Sequence, residues 1–153
     1  MKQAARKQQI DLGGKRIAVI CARFYPELAD MLLQGARAAL RECNLPADDV
    51  SVFDVPGCFE LPLAAARVIS STRFDAVVAL GAVIRGQTPH FDYVAAECAR
   101  GLMQVQLETG CPIGFGVLTT DTYAQAEERA DPQRGNKGYA AAMAAASLLQ
   151  IPA

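Results

Sequence analysis

The chain carries a single histidine, His90, which closes the segment Gly81-Ala-Val-Ile-Arg-Gly-Gln-Thr-Pro-His90. Imidazole is the side chain that takes and gives protons near neutral pH, so any imidazole acid–base chemistry falls on this residue. Ahead of it, Gly86, Gln87 and Thr88 form a short turn between an apolar run and a helical pattern. Such a turn at a helix N-terminus presents free backbone N–H groups and the positive end of the helix dipole, which suits a phosphate. Gln87 and Thr88 would supply those donors, and the Thr88 hydroxyl would add another or cap the helix. Taken alone, an ordinary strand-to-helix turn is the simpler reading of this segment. A solvent-exposed histidine at a helix start would explain His90 equally well.

Further candidates stand at similar places. Arg23-Phe24 and Phe59-Glu60 each follow a β-branched run. An aromatic ring there could stack on a planar heterocycle, and the carboxylate could accept hydrogen bonds from hydroxyls. A loop phenylalanine is nevertheless more often core or interface. Arg129 and Lys137, the latter within Gly135-Asn-Lys-Gly138, are cations able to neutralise a phosphate or polarise a carbonyl. A charged helix face would account for Arg129 as well.

Several familiar chemistries lack their motifs. Gly13-Gly14-Lys15 precedes a strand pattern instead of opening a helix, so it is no phosphate-binding P-loop. Gly114-Phe-Gly116 lacks the third glycine of a dinucleotide fingerprint, and no G-x-S-x-G elbow marks a serine hydrolase. One histidine cannot supply a His-based metal site. Cys21, Cys43, Cys58, Cys98 and Cys111 form no C-x-x-C pair and lie mostly in apolar stretches, so they read as small buried hydrophobes. Neither a metal nor a redox cofactor is expected.

The elements that must position these residues follow from the apolar pattern. Arg16–Cys21, Val50–Val55, Phe74–Ile84 and Pro112–Leu118 are short runs, the third apolar on both faces. Near-continuous apolar strands belong to a parallel sheet covered on both sides. Between them, Leu28, Leu32, Leu33, Ala36, Ala39 and Leu40 mark one helical face after Pro26. A second helix is expected from Glu60 to Ile69. A third carries Phe91, Val94, Cys98, Leu102 and Val105 and is closed by Gly110. Two more cover Tyr123–Arg129 and Tyr139–Leu149. The alternation predicts a three-layer α/β/α sandwich with a central, mainly parallel four-stranded sheet and right-handed crossovers. Ligands bind such sheets beyond the carboxyl ends of the strands, which is where the candidate residues lie.

The 153 residues correspond to one domain, spanning 1–153 with residues 1–15 as a polar arm, either a frayed terminus or a strand that docks on a neighbouring subunit. A hydrophobic content of 52% excludes a disordered chain, and a net charge of −1 argues against a nucleic-acid binder. No apolar run is long enough to span a membrane, and the N-terminal stretch has no signal-peptide apolar region. A cytoplasmic protein is expected.

Taken together, Ala22-Arg-Phe, Val55-Pro-Gly-Cys-Phe-Glu-Leu-Pro62, Gly81 to Val94, Phe115-Gly-Val-Leu-Thr-Thr120 and Gly135-Asn-Lys-Gly138 resemble the 6,7-dimethyl-8-ribityllumazine synthase family of riboflavin biosynthesis. The motifs run in family order from about residue 12 to 150, and five linked motifs are far more specific than any one. The resemblance implies a flavodoxin-like fold. It also implies condensation of 5-amino-6-(D-ribitylamino)uracil with 3,4-dihydroxy-2-butanone 4-phosphate, without metal or redox cofactor.

By the same resemblance, Phe24 stacks on the pyrimidinedione, the backbone around Phe59 and the Glu60 carboxylate hold the ribityl chain, and Val83 and Ile84 line the ring pocket. Gln87 and Thr88 match the phosphate turn, Arg129 its cationic partner, and His90 the proton shuttle. Phe115 and Lys137 complete the ring pocket; with Arg129 they reach the site from the adjacent subunit. Tyr25, Cys58 and Gln87 replace the usual Asn, Ala and Ala, and none of these departures removes a catalytic group. The family forms pentamers that in some members close into an icosahedral 60-mer shell. The short Arg129-to-Gly135 connection resembles the shell-forming members, so a shell is expected over an isolated pentamer or decamer. Riboflavin synthase is a candidate partner. Two rivals are a lumazine-binding container that has lost catalysis and an archaeal-type riboflavin synthase.

Overall fold

A computed structural model describes residues 9–71 and 73–153. β1 (Ile17–Ala22), β2 (Val50–Val55), β3 (Ala76–Ile84) and β4 (Ile113–Thr120) form one sheet in the order β2-β1-β3-β4. All three pairings are parallel, with Ile17 opposite both Val50 and Ala76, and Val77 opposite Ile113. Five helices connect and follow the strands: α1 (Pro26–Glu42), α2 (Leu61–Ser70), α3 (His90–Thr109), α4 (Tyr123–Ala130) and α5 (Lys137–Leu148).

Alternation along the strands explains the three layers. Ile17, Val19 and Cys21 pack with Leu28, Leu32 and Ala36 of α1 and with Ala142 and Ala145 of α5. Ala18 and Ile20 point the other way, to Leu61 and Ala65 of α2 and Cys98 and Leu102 of α3. Every residue of β1 is buried because both faces are covered. The expectation of strands covered on both faces fails at the two edges of the sheet, and β4 exposes Phe115 and Thr119. β2 is the other edge strand, and its Phe53 and Asp54 are exposed.

The apolar face of α1 follows the expected spacing, and Pro26 occupies its first turn. α3 stops at Gly110, whose φ of +69° ends a helix at little steric cost. α5 begins at Lys137, two residues before the expected start. Asn136 adopts a left-handed conformation (φ +50°) that redirects the chain, after which helix follows at once. α5 then lies very close to α1: a Cβ on Gly138 would run into the carbonyl oxygen of Leu32.

The anchored part of the chain begins earlier than the composition suggests. Ile10 and Leu12 are buried in the α1 side of the core, and the Leu12 N–H donates to the Cys43 carbonyl at 2.7 Å. Two isolated apolar residues among polar neighbours carry no periodicity, which is why the pattern hid this anchor. Residues 1–8, to which the alternatives of frayed terminus or docking strand then apply, lie outside the described residues.

Candidate active site

The first two crossovers carry the chain from β1 out to the edge strand β2 and back to β3, on the far side of β1. The carboxyl ends of these three adjacent strands therefore release their loops into one place. A cleft of about 680 Å³ opens there, within the range of small-molecule pockets.

At the β1 exit, the Arg23 N–H donates to the Val55 carbonyl at 2.9 Å and ties this loop to the end of β2. Its guanidinium pairs with Asp54 at 3.0 Å and with Asp30 on α1. Hydrogen bonds to these two carboxylates push its pKa upward, so the cation is fixed. The next residue, Phe24, is thereby held outward with 70% of its surface exposed. Tyr25 packs edge-on against it at 4.9 Å and against Tyr123 at 6.0 Å.

At the β2 exit, a single 3-10 turn over Cys58–Glu60 is closed by the Glu60 N–H on the Gly57 carbonyl at 3.2 Å. It turns Phe59 outward, 62% exposed, and sets Glu60 beside it. Cys58 faces inward. Its hydrogen bond to Cys98, together with burial, pushes its thiol well above the ordinary range, so it is a neutral part of the cleft floor. Gly81 leaves room for it, since a Cβ there would come within 2.6 Å of the Cys58 sulfur.

At the β3 exit, Ala82, Val83 and Ile84 give the cleft an apolar wall before the chain turns through Gly86–Pro89 into α3. Thr88 does not cap that helix. Pro89 holds the cap position, without a side-chain bond, and the Thr88 hydroxyl instead accepts from the His90 N–H at 3.4 Å. The His90 N–H is thus held only by this long contact, and the Asp92 N–H closes back on the Pro89 carbonyl at 3.0 Å. Arg85 spans this turn. Its N–H donates to the Thr120 carbonyl at 2.9 Å; its guanidinium reaches Asp121 at 3.2 Å and Asp92 at 3.3 Å and lies 4.4 Å above the Phe91 ring.

Of the residues singled out by sequence, Phe24, Phe59, Glu60, Val83, Ile84, Thr88 and His90 line this cleft, and Gln87 sits exposed in the turn next to Thr88. Phe115, Arg129 and Lys137 do not line it. Phe115 shares the α3-side face of the edge strand β4 with Ile113 and Val117 but is 48% exposed. Arg129 is exposed in the last turn of α4, where one guanidinium nitrogen bonds the Gln125 carbonyl at 3.1 Å. Lys137 is the exposed first residue of α5. Phe91 and Val94, which helical spacing puts on one stripe of α3, line the cleft as well, as does Tyr93, and Val94 also packs on the core. The signal was present in the spacing at the start of α3, where His90 and Phe91 lie four and three residues ahead of Val94.

The fold and this cleft define a class: an open, parallel α/β protein with a concave cleft at the switch point of its sheet, lined by exposed aromatics, one carboxylate and one imidazole. Residues 14–153 match the family model described as 6,7-dimethyl-8-ribityllumazine synthase. Two similar proteins bear the same name. That of Syntrophus aciditrophicus (strain SB) is 49% identical over 138 residues, 90% of each chain. That of Desulfatibacillum aliphaticivorans is 48% identical over 138 residues, 90% of this chain and 89% of its own. The chain belongs to the 6,7-dimethyl-8-ribityllumazine synthase family.

Proposed function

We propose that the cleft is where this chain condenses 5-amino-6-(D-ribitylamino)uracil with 3,4-dihydroxy-2-butanone 4-phosphate into 6,7-dimethyl-8-ribityllumazine, phosphate and water. The reaction is that of the family; the assignment of residues is our reading. Its principal support is that the exposed rings of Phe24 and Phe59 share one cleft with Glu60, Thr88 and His90. Exposed aromatics gathered in a concave site are costly to leave in water and suit a flat heterocycle.

In this reading the pyrimidinedione stacks on Phe24 against the Val83–Ile84 wall. Glu60 accepts hydrogen bonds from ribityl hydroxyls, helped by the backbone at Phe59. The Gln87–Thr88 turn and the start of α3 receive the phosphate. The amine of the pyrimidine attacks the ketone, and water leaves as the imine forms. Phosphate is then eliminated, and the second nitrogen closes the ring with loss of another water. Each step moves protons at nitrogen or carbon, and His90 at the cleft edge is the group to carry them. Holding both substrates together supplies several kcal/mol of the acceleration.

Phe115, Arg129 and Lys137 belong to the same chemistry if a neighbouring copy supplies them. Lys137 sits at the positive end of the α5 dipole, an unfavourable place for a cation unless an anion joins it. A ring of chains, with pentamers closing into a 60-mer shell, would bring each chain's α4–α5 turn to the next chain's cleft. Among the described residues no helix is long and apolar enough to cross a membrane, which accords with a cytoplasmic enzyme acting on small, charged substrates.

The test is to mix both substrates with purified protein and follow lumazine fluorescence and inorganic phosphate together, subtracting the spontaneous reaction. Matched, enzyme-dependent release of both is the expected result. Binding of the pyrimidine without turnover would indicate a container, and riboflavin formed from lumazine alone would indicate the riboflavin synthase rival.

A further inference from the structure

We propose that Arg85 is a positioning residue that holds the 86–90 turn in its phosphate-receiving shape; the proposal rests on reading that turn as the phosphate site. The turn itself holds little. A Cβ on Gly86 would meet no atom within 4 Å, Gln87 and Thr88 are exposed, and the bond inside the turn is the 3.4 Å contact from the His90 N–H to the Thr88 hydroxyl. Its shape must come from what grips its ends.

Arg85 grips both. Its backbone N–H, bonded to the Thr120 carbonyl, fixes the entry of the turn to the exit of β4. Its side chain then doubles forward over the turn. The guanidinium lies on the Phe91 ring and pairs with Asp92, both in the first turn of α3, which is the exit. The remaining arm reaches Asp121, just beyond β4. One planar, forked cation thus staples two strand ends and a helix start around the four loop residues Gly86–Pro89. Lysine could not reproduce this, because its single ammonium has neither the fork nor a flat face to stack on the ring.

The same cation has an electrostatic duty. Arg85 lies between Asp92 and Asp121, which bracket the turn without lining the cleft. Removing it would both loosen the turn and leave two carboxylates near it without their cation. Each contact is weak, because the Arg85 side chain is 46% exposed and the carboxylates more so. The expected effect is therefore a moderate and selective one.

The experiment compares the wild-type assembly with Arg85→Ala, Arg85→Lys and Thr88→Ala. It measures affinity for inorganic phosphate and for 5-amino-6-(D-ribitylamino)uracil separately, along with kcat and KM for the phosphorylated substrate. Arg85→Ala should weaken phosphate binding and raise that KM about tenfold, the equivalent of a few exposed ion-pair and cation–π contacts. Pyrimidine affinity and kcat should stay within about threefold, and Arg85→Lys should fall in between. Equal loss of phosphate and pyrimidine affinity would mean a merely structural role and overturn the proposal. Unchanged phosphate affinity in Arg85→Ala, with a clear loss in Thr88→Ala, would also overturn it while leaving the phosphate turn in place. If Thr88→Ala binds phosphate as the wild type does, the reading of the turn falls, and the role of Arg85 with it.

Discussion

Two groups of residues carry the proposed chemistry, and the chain treats them differently. Phe24, Phe59, Glu60, Thr88 and His90 converge on one cleft because β2, β1 and β3 are neighbours whose exits point the same way. Phe115, Arg129 and Lys137 come from an edge strand, the end of α4 and the start of α5, and they stand apart from that cleft. The first group is positioned by contacts internal to the chain, such as Arg23 with Asp54 and Asp30 and Arg85 with Asp92 and Asp121. Among the described residues, neither Arg129 nor Lys137 has a carboxylate partner. The contrast is between residues that the fold of one chain gathers into a cleft and residues that it leaves exposed and apart from that cleft.

The comparison breaks most completely at the base of the outlying group. Gly138→Ala should drive α5 off α1, because the new Cβ would collide with the Leu32 backbone; a cost of about 3 kcal/mol or more is expected, seen as a collapse of the thermal transition. Within the cleft, His90→Ala should lower kcat by about 100-fold or more while leaving the melting temperature near that of the wild type. A loss well under tenfold would reduce His90 to a helper.

Mixing decides whether the groups act across chains. His90→Ala and Arg129→Ala proteins, each impaired alone, should regain about a quarter of their sites when co-assembled at equal amounts if one chain's cleft meets the next chain's Arg129. No recovery would place both groups in the service of one chain. Arg129→Ala alone should raise KM for the phosphorylated substrate about tenfold, the usual scale for losing one charge-assisted contact, with kcat little changed. An unchanged KM would remove Arg129 from the phosphate site. The smallest effect is expected at Gly86→Ala, which enters open space and should alter stability by less than about 0.5 kcal/mol by denaturant titration.

Much of this arrangement was readable in the sequence, and what escaped has physical causes. The strands and helices fell where the apolar period put them, with ends displaced by a residue or two, because β1 and β3 are apolar throughout and α1 has a clean face. The early start of α5 was hidden because a left-handed Asn136 leaves no mark in the hydrophobic pattern. Leu12 was lost in the polar arm for a related reason: a lone apolar residue has no period. Phe24, Phe59, Glu60 and His90 were legible as chemistry because they follow strand patterns directly. Arg23 and Arg85 were not legible as supports, since their partners Asp54, Asp121 and Asp92 become neighbours only when the sheet is assembled. The separation of Phe115, Arg129 and Lys137 from the cleft was implied by the family resemblance alone, since composition and spacing do not give the strand order.

That strand order also bears on how the chain is made. Among the described residues β1 is the first strand in chain order, yet it occupies an interior place, with β2 on one side and β3 on the other. During translation the run Ile17-Ala-Val-Ile-Cys-Ala22, apolar at every position, has no mate until β2 emerges, and it keeps one open edge until β3 follows. At roughly 5–20 residues per second that wait lasts several seconds. An unpaired apolar strand is a template for the same strand of another nascent chain. On a crowded polysome, the hazard built into this topology is therefore aggregation during synthesis, and it ends when residue 84 has left the ribosome and the central strand is flanked on both sides.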